Sequence, residues 1–304
     1  AQDDEHDPQK SVNAYNTLKD WGAQAIVGST TSDPCIAVAA ETSNDNMFQI
    51  TPSGSAVECV APDNVFRVCF ADPDQGTASA VYIGENKLAT KIAVIYDSST
   101  TYSSGIREAF VKEAASQGLE VVADEAFTAD NATDFSVQLD KAKEAGAELV
   151  FLPIYYQEAS VILKQASDKD FAPIFFGCDG MDGILTVENF DTSLAEGLML
   201  LTPFSTTEES SKSFTDAYVA AYGIEPNQFA ADSYDAVYAI KAALEKSGVA
   251  ADADYSAVCD AFKTAMTEIS IDGLTGAGMT WNAAGEPDKA PKAVKIVNGV
   301  YEMQ

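Results

Sequence analysis

Histidine is almost missing from this chain, which holds His6 alone, and that scarcity removes most acid–base and metal chemistry at the outset. A single imidazole cannot populate a His-rich zinc site or the nucleophile–base–orienter sets of hydrolases. His6 itself stands in a polar cap segment and is expected to face solvent. No G-x-x-x-x-G-K-[ST], H-E-x-x-H or G-x-S-x-G motif occurs, so phosphate-cradling loops, zincin helices and nucleophile elbows have no support. The run Gly273-Leu274-Thr275-Gly276-Ala277-Gly278 imitates a dinucleotide loop, but it follows a helix and lacks the strand–turn–helix setting; it reads as a loop. An enzyme is not expected, nor is any cofactor or metal.

Basic residues are scarce too: 18 Lys and Arg stand against 47 Asp and Glu, a formal charge of −29. Such a chain repels phosphate backbones and anionic headgroups, which excludes nucleic acid as an expected partner. The acidity reads first as solubility. Apolar runs stay short of the roughly eighteen residues that a membrane span needs. No signal peptide stands at Ala1, and the opening Ala-Gln-Asp-Asp-Glu-His-Asp-Pro reads as the end of a strand followed by a helix cap. The expectation is that a strand–helix unit, with any export signal or lipid anchor, is missing from this N-terminus. The five cysteines, Cys35, Cys59, Cys69, Cys178 and Cys259, lack C-x-x-C spacing. Their odd number leaves at least one thiol free. One disulfide among Cys35, Cys59 and Cys69 is open in an oxidising compartment, whereas buried free thiols behaving as small hydrophobes are the favoured reading.

What the chain does have is 304 residues, 46% hydrophobic and 21% charged, an ordinary globular composition with length for two domains. Strand-like runs are expected at Ala25 to Gly28, Met47 to Thr51, Val65 to Phe70, Lys91 to Tyr96, Glu120 to Glu125, Glu148 to Ile154, Ile174 to Gly177, Gly197 to Leu201 and Ala293 to Tyr301. Between them the 3.6-residue period predicts helices after Asp7-Pro8 and at Asp33 to Asn44, Gln75 to Glu85, Ser104 to Gln117, Asp134 to Ala145, Gln157 to Lys169, Ser211 to Tyr222, Gln228 to Lys246 and Asp254 to Thr267. In the first helix Val12, Tyr15, Leu18 and Trp21 form a core-facing stripe that Gly22 ends. Alternation of this kind is the signature of α/β folds with doubly wound parallel sheets.

In such sheets ligands bind beyond the carboxyl ends of strands, and helix N-termini attract carboxylates. Gly28-Ser29-Thr30-Thr31-Ser32 and Thr51-Pro52-Ser53-Gly54-Ser55 present hydroxyls and backbone amides there. Helix capping alone would account for either, and the pair together favours an anion site. Asp97 to Tyr102 and Ile154-Tyr155-Tyr156 place aromatic rings after strands, where rim packing is the alternative to ligand contact. Gly177-Cys178-Asp179-Gly180 sets a carboxylate between glycines, either a solvated turn or the counter-charge of an ammonium group.

In these features the chain resembles the branched-chain amino acid (Leu/Ile/Val) binding proteins, the type I periplasmic binding-protein fold of ABC importers. The resemblance covers nearly the whole length. It rests on Asp3 to Pro8, Gly28 to Ser32, Ile50 to Ser55, Phe66-Arg67-Val68 with Asp72 to Gly76, Ile92 to Asp97 with Tyr102 and Gly105, Tyr155 to Glu158 with Lys164-Gln165-Ala166, Gly177 to Gly180, and Ala195-Glu196-Gly197. It implies that Ser32 and Ser55, with the amides around Gly54, hold a ligand carboxylate, and that the Ser53 carbonyl and Asp179 accept from its ammonium group. Tyr102 and Tyr155 would close over the ligand from the second lobe, and Phe229 would line the side-chain pocket. It also implies two doubly wound lobes joined by a three-stranded hinge: residues 1–72 plus 204–285, and residues 73–203 plus 286–304. A monomer that captures an amino acid outside the cytoplasm by lobe closure and delivers it to membrane permease subunits is the implied function, with a ligand-sensing ectodomain or regulatory module of the same fold as the alternative. The chain departs from the family in its absent first strand and helix. The two positions bridged by a disulfide in Gram-negative members are His6 and Thr31 here.

Overall fold

The computed structural model describes residues 1–250 and 252–304, and the chain divides into two units, which it joins by passing between them after Ala71, after Asn227 and after Ala290. The first unit opens with α1 (Pro8–Trp21), whose N-cap Asp7 accepts from Lys10 N at 2.8 Å and whose proline fills the first turn. Gly22 ends the helix at φ 98°, a left-handed conformation that favours glycine. Then come β1 (Ala25–Val27), α2 (Ser32–Asp45), β2 (Phe48–Thr51) and β3 (Val65–Arg67), with the strands parallel in the order β1-β2-β3.

The second unit holds α3 (Asp72–Glu85), β4 (Lys91–Asp97), α4 (Thr101–Ala114), β5 (Glu120–Phe127), α5 (Ser136–Glu144), β6 (Leu149–Leu152), α6 (Tyr156–Asp168), β7 (Ile174–Gly177), β8 (Met199–Thr202) and α7 (Lys212–Tyr222). The chain then returns to the first unit for α8 (Gln228–Ser247) and α9 (Tyr255–Met266), and ends in the second on β9 (Lys292–Val297) and β10 (Val300–Met303). Seven strands make the second sheet, in the order β10-β9-β8-β7-β6-β4-β5. It is parallel except where β9 pairs antiparallel with β8 and β10.

Buried strands with helices on both faces read as continuous apolar runs, and β6 is one, with all of Leu149–Leu152 buried. Leu149 and Phe151 pack with Phe110 and Phe176 on one face, while Val150 and Leu152 pack with Ile162 and Leu163 on the other. In the first unit Phe48 and Phe66 meet Ala239 of α8 and Phe262 of α9, the Phe262 ring standing edge-on to Phe48 at 5.1 Å. Among the described residues no helix is long and apolar enough to cross a membrane.

Several expectations are corrected. Ala1 to Asp3 do not form a strand. Trp21 is 82% exposed, so the stripe on α1 reaches the core through Tyr15 but not through its last member, at which the helix ends. The single strand expected at Ala293 to Tyr301 is a hairpin, because Asn298 (φ 53°) and Gly299 (φ 76°) both take the left-handed conformation of a two-residue turn. Residues 204–227 group with the second unit, and residues 286–290 with the first, opposite to the lobe limits expected above. The described cysteines are all buried and in no disulfide, which is the favoured of the two readings for Cys35, Cys59 and Cys69. His6 is exposed as expected, and its Nδ1 lies 2.7 Å from Thr31 Oγ1.

Candidate functional site

In the first unit the loops after β1 and β2 are tied together by Thr51, whose hydroxyl donates to the Ser29 carbonyl at 2.6 Å and accepts from Gly54 N at 2.8 Å. Gly54 has no room for a side chain: an added Cβ would lie 2.7 Å from Thr51 Oγ1 and 3.0 Å from Cys35 Cβ. Ser32 opens α2 and is 1% exposed. Its hydroxyl oxygen accepts from Ser55 N at 3.2 Å and Ala56 N at 3.1 Å. A hydroxyl that accepts twice still has a proton to give. The Ser55 hydroxyl is fully buried and has no hydrogen-bond partner among the described residues. Both groups stand where the N-terminus of α2, capped by no side chain at Thr31, adds its partial positive charge. Gln228, first residue of α8, donates to Ser53 Oγ at 3.4 Å, and Phe229 beside it is half-buried.

Beneath this loop lies Arg67, with none of its side chain exposed. Its Nη1 donates to the carbonyls of Gly54 (3.3 Å), Ser55 (2.5 Å) and Ala56 (3.1 Å). Its Nε and Nη2 grip the Glu286 carboxylate, the former at 2.6 Å. Burial works against the guanidinium charge, and the Glu286 carboxylate outweighs it, so the pKa is raised. Sequence reasoning assigned Arg67 no role. The available signal was an arginine inside the apolar run Val65-Phe66-Arg67-Val68, since a charge buried in a strand requires partners.

A second buried charge, also unforeseen, stands just past Glu286 in the sequence. Lys289 Nζ pairs with Asp232 Oδ1 at 2.9 Å, with side chains 1% and 0% exposed, and also donates to the Val68 carbonyl at 3.1 Å and Thr275 Oγ1 at 2.6 Å. Asp232 lies near the start of α8, Val68 just past β3, and Lys289 just before the last passage of the chain. One ammonium therefore binds the three segments that lead out of this unit.

In the second unit Asp179 and Tyr102 are buried, and the Tyr102 hydroxyl donates to Asp179 Oδ1 at 2.7 Å while accepting from Gly180 N at 2.9 Å. Complete burial, with the Asp179 charge beside it, pushes the Tyr102 pKa well up, so the phenol stays a neutral donor. Tyr155 is half-buried and stacks on Tyr102 at 4.6 Å between ring centroids. Asp179 N donates to Gln75 Oε1 at 3.2 Å. The structure thus brings Ser32, Ser53, Gly54 and Ser55 together in one unit, with Phe229 following Gln228 there, and Tyr102, Tyr155 and Asp179 together in the other. Among the described residues no group of three or more His, Cys, Asp and Glu side chains could hold a metal ion.

Two α/β units connected by three chain passages, each with small polar residues in the loops after its strands, have the make-up of a receptor for a small solute. The chain belongs to the periplasmic binding protein family, whose model matches residues 1–299, a family of solute-binding proteins and not of enzymes. It is similar to Leu/Ile/Val-binding protein homolog 3 of Brucella melitensis, 29% identical over 250 residues, covering 81% of this chain and 67% of that protein. Among solved structures, the leucine-binding protein LivK of Thermotoga maritima superposes with a TM-score of 0.87 at 25% identity, over 99% of this chain and 85% of the other. The branched-chain amino acid transporter substrate-binding protein LivJ of Streptococcus pneumoniae, in complex with isoleucine, gives 0.86 at 27% identity, over 99% and 84%. The fold is that of the type I periplasmic binding proteins.

Proposed function

We propose that this chain captures an amino acid of branched-chain or other hydrophobic type outside the cytoplasm and delivers it, as a monomer, to the membrane permease of an ABC importer. The observation that carries this reading is the pair of unspent hydroxyl protons of Ser32 and Ser55 at the N-terminus of α2. Buried donors without acceptors await an anion, and a carboxylate takes both. Ser53, through its carbonyl, and Asp179 then serve the ammonium group. Tyr155 covers the ligand, Tyr102 holds Asp179 ready, and Phe229 lines the space for the side chain. A zwitterion needs contacts of both signs, and those proposed here are divided between the units, with Ser32, Ser53 and Ser55 in the first and Tyr155 and Asp179 in the second. Closure of the units on the ligand follows as the capture step.

Calorimetric titration of the folded chain with L-leucine, L-isoleucine and L-valine tests the reading, together with Asp179→Asn. The expected result is saturable binding of at least one of them, weakened tenfold or more in Asp179→Asn, as for loss of one member of a buried charge pair worth about 2–5 kcal/mol. Absence of binding to all three refutes a branched-chain ligand. Unchanged affinity in Asp179→Asn removes that carboxylate from the ammonium site.

A further inference from the structure

We infer that Arg67, anchored by Glu286, is the positioning residue that turns the Gly54–Ala56 loop into a carboxylate receptor; the inference rests on the reading above, in which a carboxylate docks on that loop. A peptide unit presents its N–H opposite its carbonyl. When one guanidinium draws in the carbonyls of Gly54, Ser55 and Ala56, the amides of that loop face away from it. That is where they are found: Ser55 N and Ala56 N both point to Ser32 Oγ. The arginine therefore fixes the direction of the loop dipoles, positive ends toward α2. The planar fork also matters, because Nε and Nη2 are occupied by Glu286 while Nη1 serves the loop, a division a lysine ammonium cannot reproduce.

The surroundings are built to hold this arrangement. Trp281 Nε1 donates to the Arg67 carbonyl at 2.7 Å, and Arg67 N donates to the Gly285 carbonyl at 3.0 Å. Gly285 has φ 77°, and a Cβ there would come within 2.3 Å of the Val65 carbonyl, so only glycine brings Glu286 up to the guanidinium. The two charges are not equivalent in their setting. Arg67 is fully enclosed, whereas the Glu286 side chain is 31% exposed and its charge is partly screened by water. A net positive potential is left on the loop side, one peptide unit from the Ser55 hydroxyl.

Charge and positioning are separated from simple bracing by comparing L-leucine with L-leucinamide, which keeps the ammonium group and side chain but has no carboxylate. Both are titrated into the parent, Arg67→Met and Glu286→Gln, with thermal melts confirming that each is folded. The parent should prefer leucine strongly. Arg67→Met should lose tenfold or more in leucine affinity with little change for leucinamide, collapsing the preference. Glu286→Gln, which keeps an acceptor for the fork but removes the opposing charge, should bind leucine a few-fold tighter and leave leucinamide unchanged. Opposite effects in the two partners are the signature, since a mere strut would weaken both ligands alike in both variants. If Arg67→Met does not fold, Glu286→Gln decides alone: an unchanged or smaller preference for leucine overturns the inference. A parent that binds leucine and leucinamide equally refutes carboxylate recognition, and the inference falls with it. A parent that discriminates, with variants that keep its preference, refutes the role of Arg67 and leaves the proposed function standing.

Discussion

The substitution Ser55→Ala separates fitness for a ligand from fitness for folding. The Ser55 hydroxyl is fully buried without a partner among the described residues, and a buried polar group left unsatisfied costs roughly 1–3 kcal/mol. Alanine removes the oxygen and leaves a void smaller than a water molecule, so part of that cost returns as stability. The expected gain is about 1 kcal/mol, or roughly 2–4 °C in the melting temperature of the ligand-free protein. Binding should move the other way. A hydrogen bond to a charged group contributes about 1.5–3 kcal/mol, so the affinity for the amino acid should fall by about ten- to a hundredfold. Because ligand at 100 times its dissociation constant adds about 2.7 kcal/mol, the order of the two melting curves should invert: the variant melts higher when empty, and the parent melts higher at a ligand concentration that saturates it. Differential scanning calorimetry with and without ligand reads both halves. A lower melting temperature for empty Ser55→Ala would mean that the hydroxyl already serves the fold, and the reasoning from its unsatisfied state would be wrong.

The Lys289–Asp232 pair, 2.9 Å apart with both side chains buried, should behave in the opposite way. Asp232→Ala leaves a buried ammonium uncompensated, at a cost of about 3–5 kcal/mol, and should lower the melting temperature by roughly 6–20 °C, whereas Asp232→Leu combined with Lys289→Met should recover most of the loss; a single variant that melts within about 2 °C of the parent counts against the pair. Glu148 accepts from the backbone amides of Thr90 (2.7 Å) and Lys91 (3.1 Å) and from the Thr90 hydroxyl (3.0 Å), which hold its carboxyl below the usual glutamate range. Since its folded value is lowered, its contribution is complete above the ordinary value of about 4.3 and is lost as pH falls through the folded value. Thermal melts from pH 5 down to about pH 3 should therefore show a shallower decline in Glu148→Gln than in the parent, and equal slopes would deny the shift.

Most of the architecture was legible because strand and helix periods are local properties. The expected start of the helix after Asp7 and the strand at Ile174 to Gly177 match the observed elements to the residue. What escaped was set by context. Trp21 fits the helical period of its neighbours, yet the helix ends under it, and period alone does not report where the protein surface lies. Asn298-Gly299 was a readable turn signal that the apolar run around it obscured. The unit to which residues 204–227 belong depends on contacts distant in sequence, and the amphipathic pattern of α7 is the same for either. At the site, small polar residues at strand ends singled out the loops Gly28 to Ser32 and Thr51 to Ser55, because loops after parallel strands converge, and the family resemblance then named Ser32, Ser53 and Ser55 within them. Arg67, Gln75 and Lys289 act through partners as far as 221 residues away in sequence, and the sequence around each does not name those partners.

The enclosed thiols have an experimental use. Cys35, Cys59, Cys69 and Cys259 lie in one unit and Cys178 in the other, all buried. Burial pushes up the pKa of Cys178 well beyond its usual value and that of Cys259 to about 11, while a hydrogen bond with Cys35 together with burial does the same for Cys59. Thiolates are the reactive species, so Cys59, Cys178 and Cys259 are shielded twice, by access and by protonation, and Cys35 and Cys69 by access. A bulky maleimide added to the native protein finds nothing to alkylate, and a cysteine introduced at an exposed position becomes its sole target without removal of the natural ones. Once the chain opens, labelled mass at Cys178 against labelled mass at the other four dates the unfolding of each unit separately.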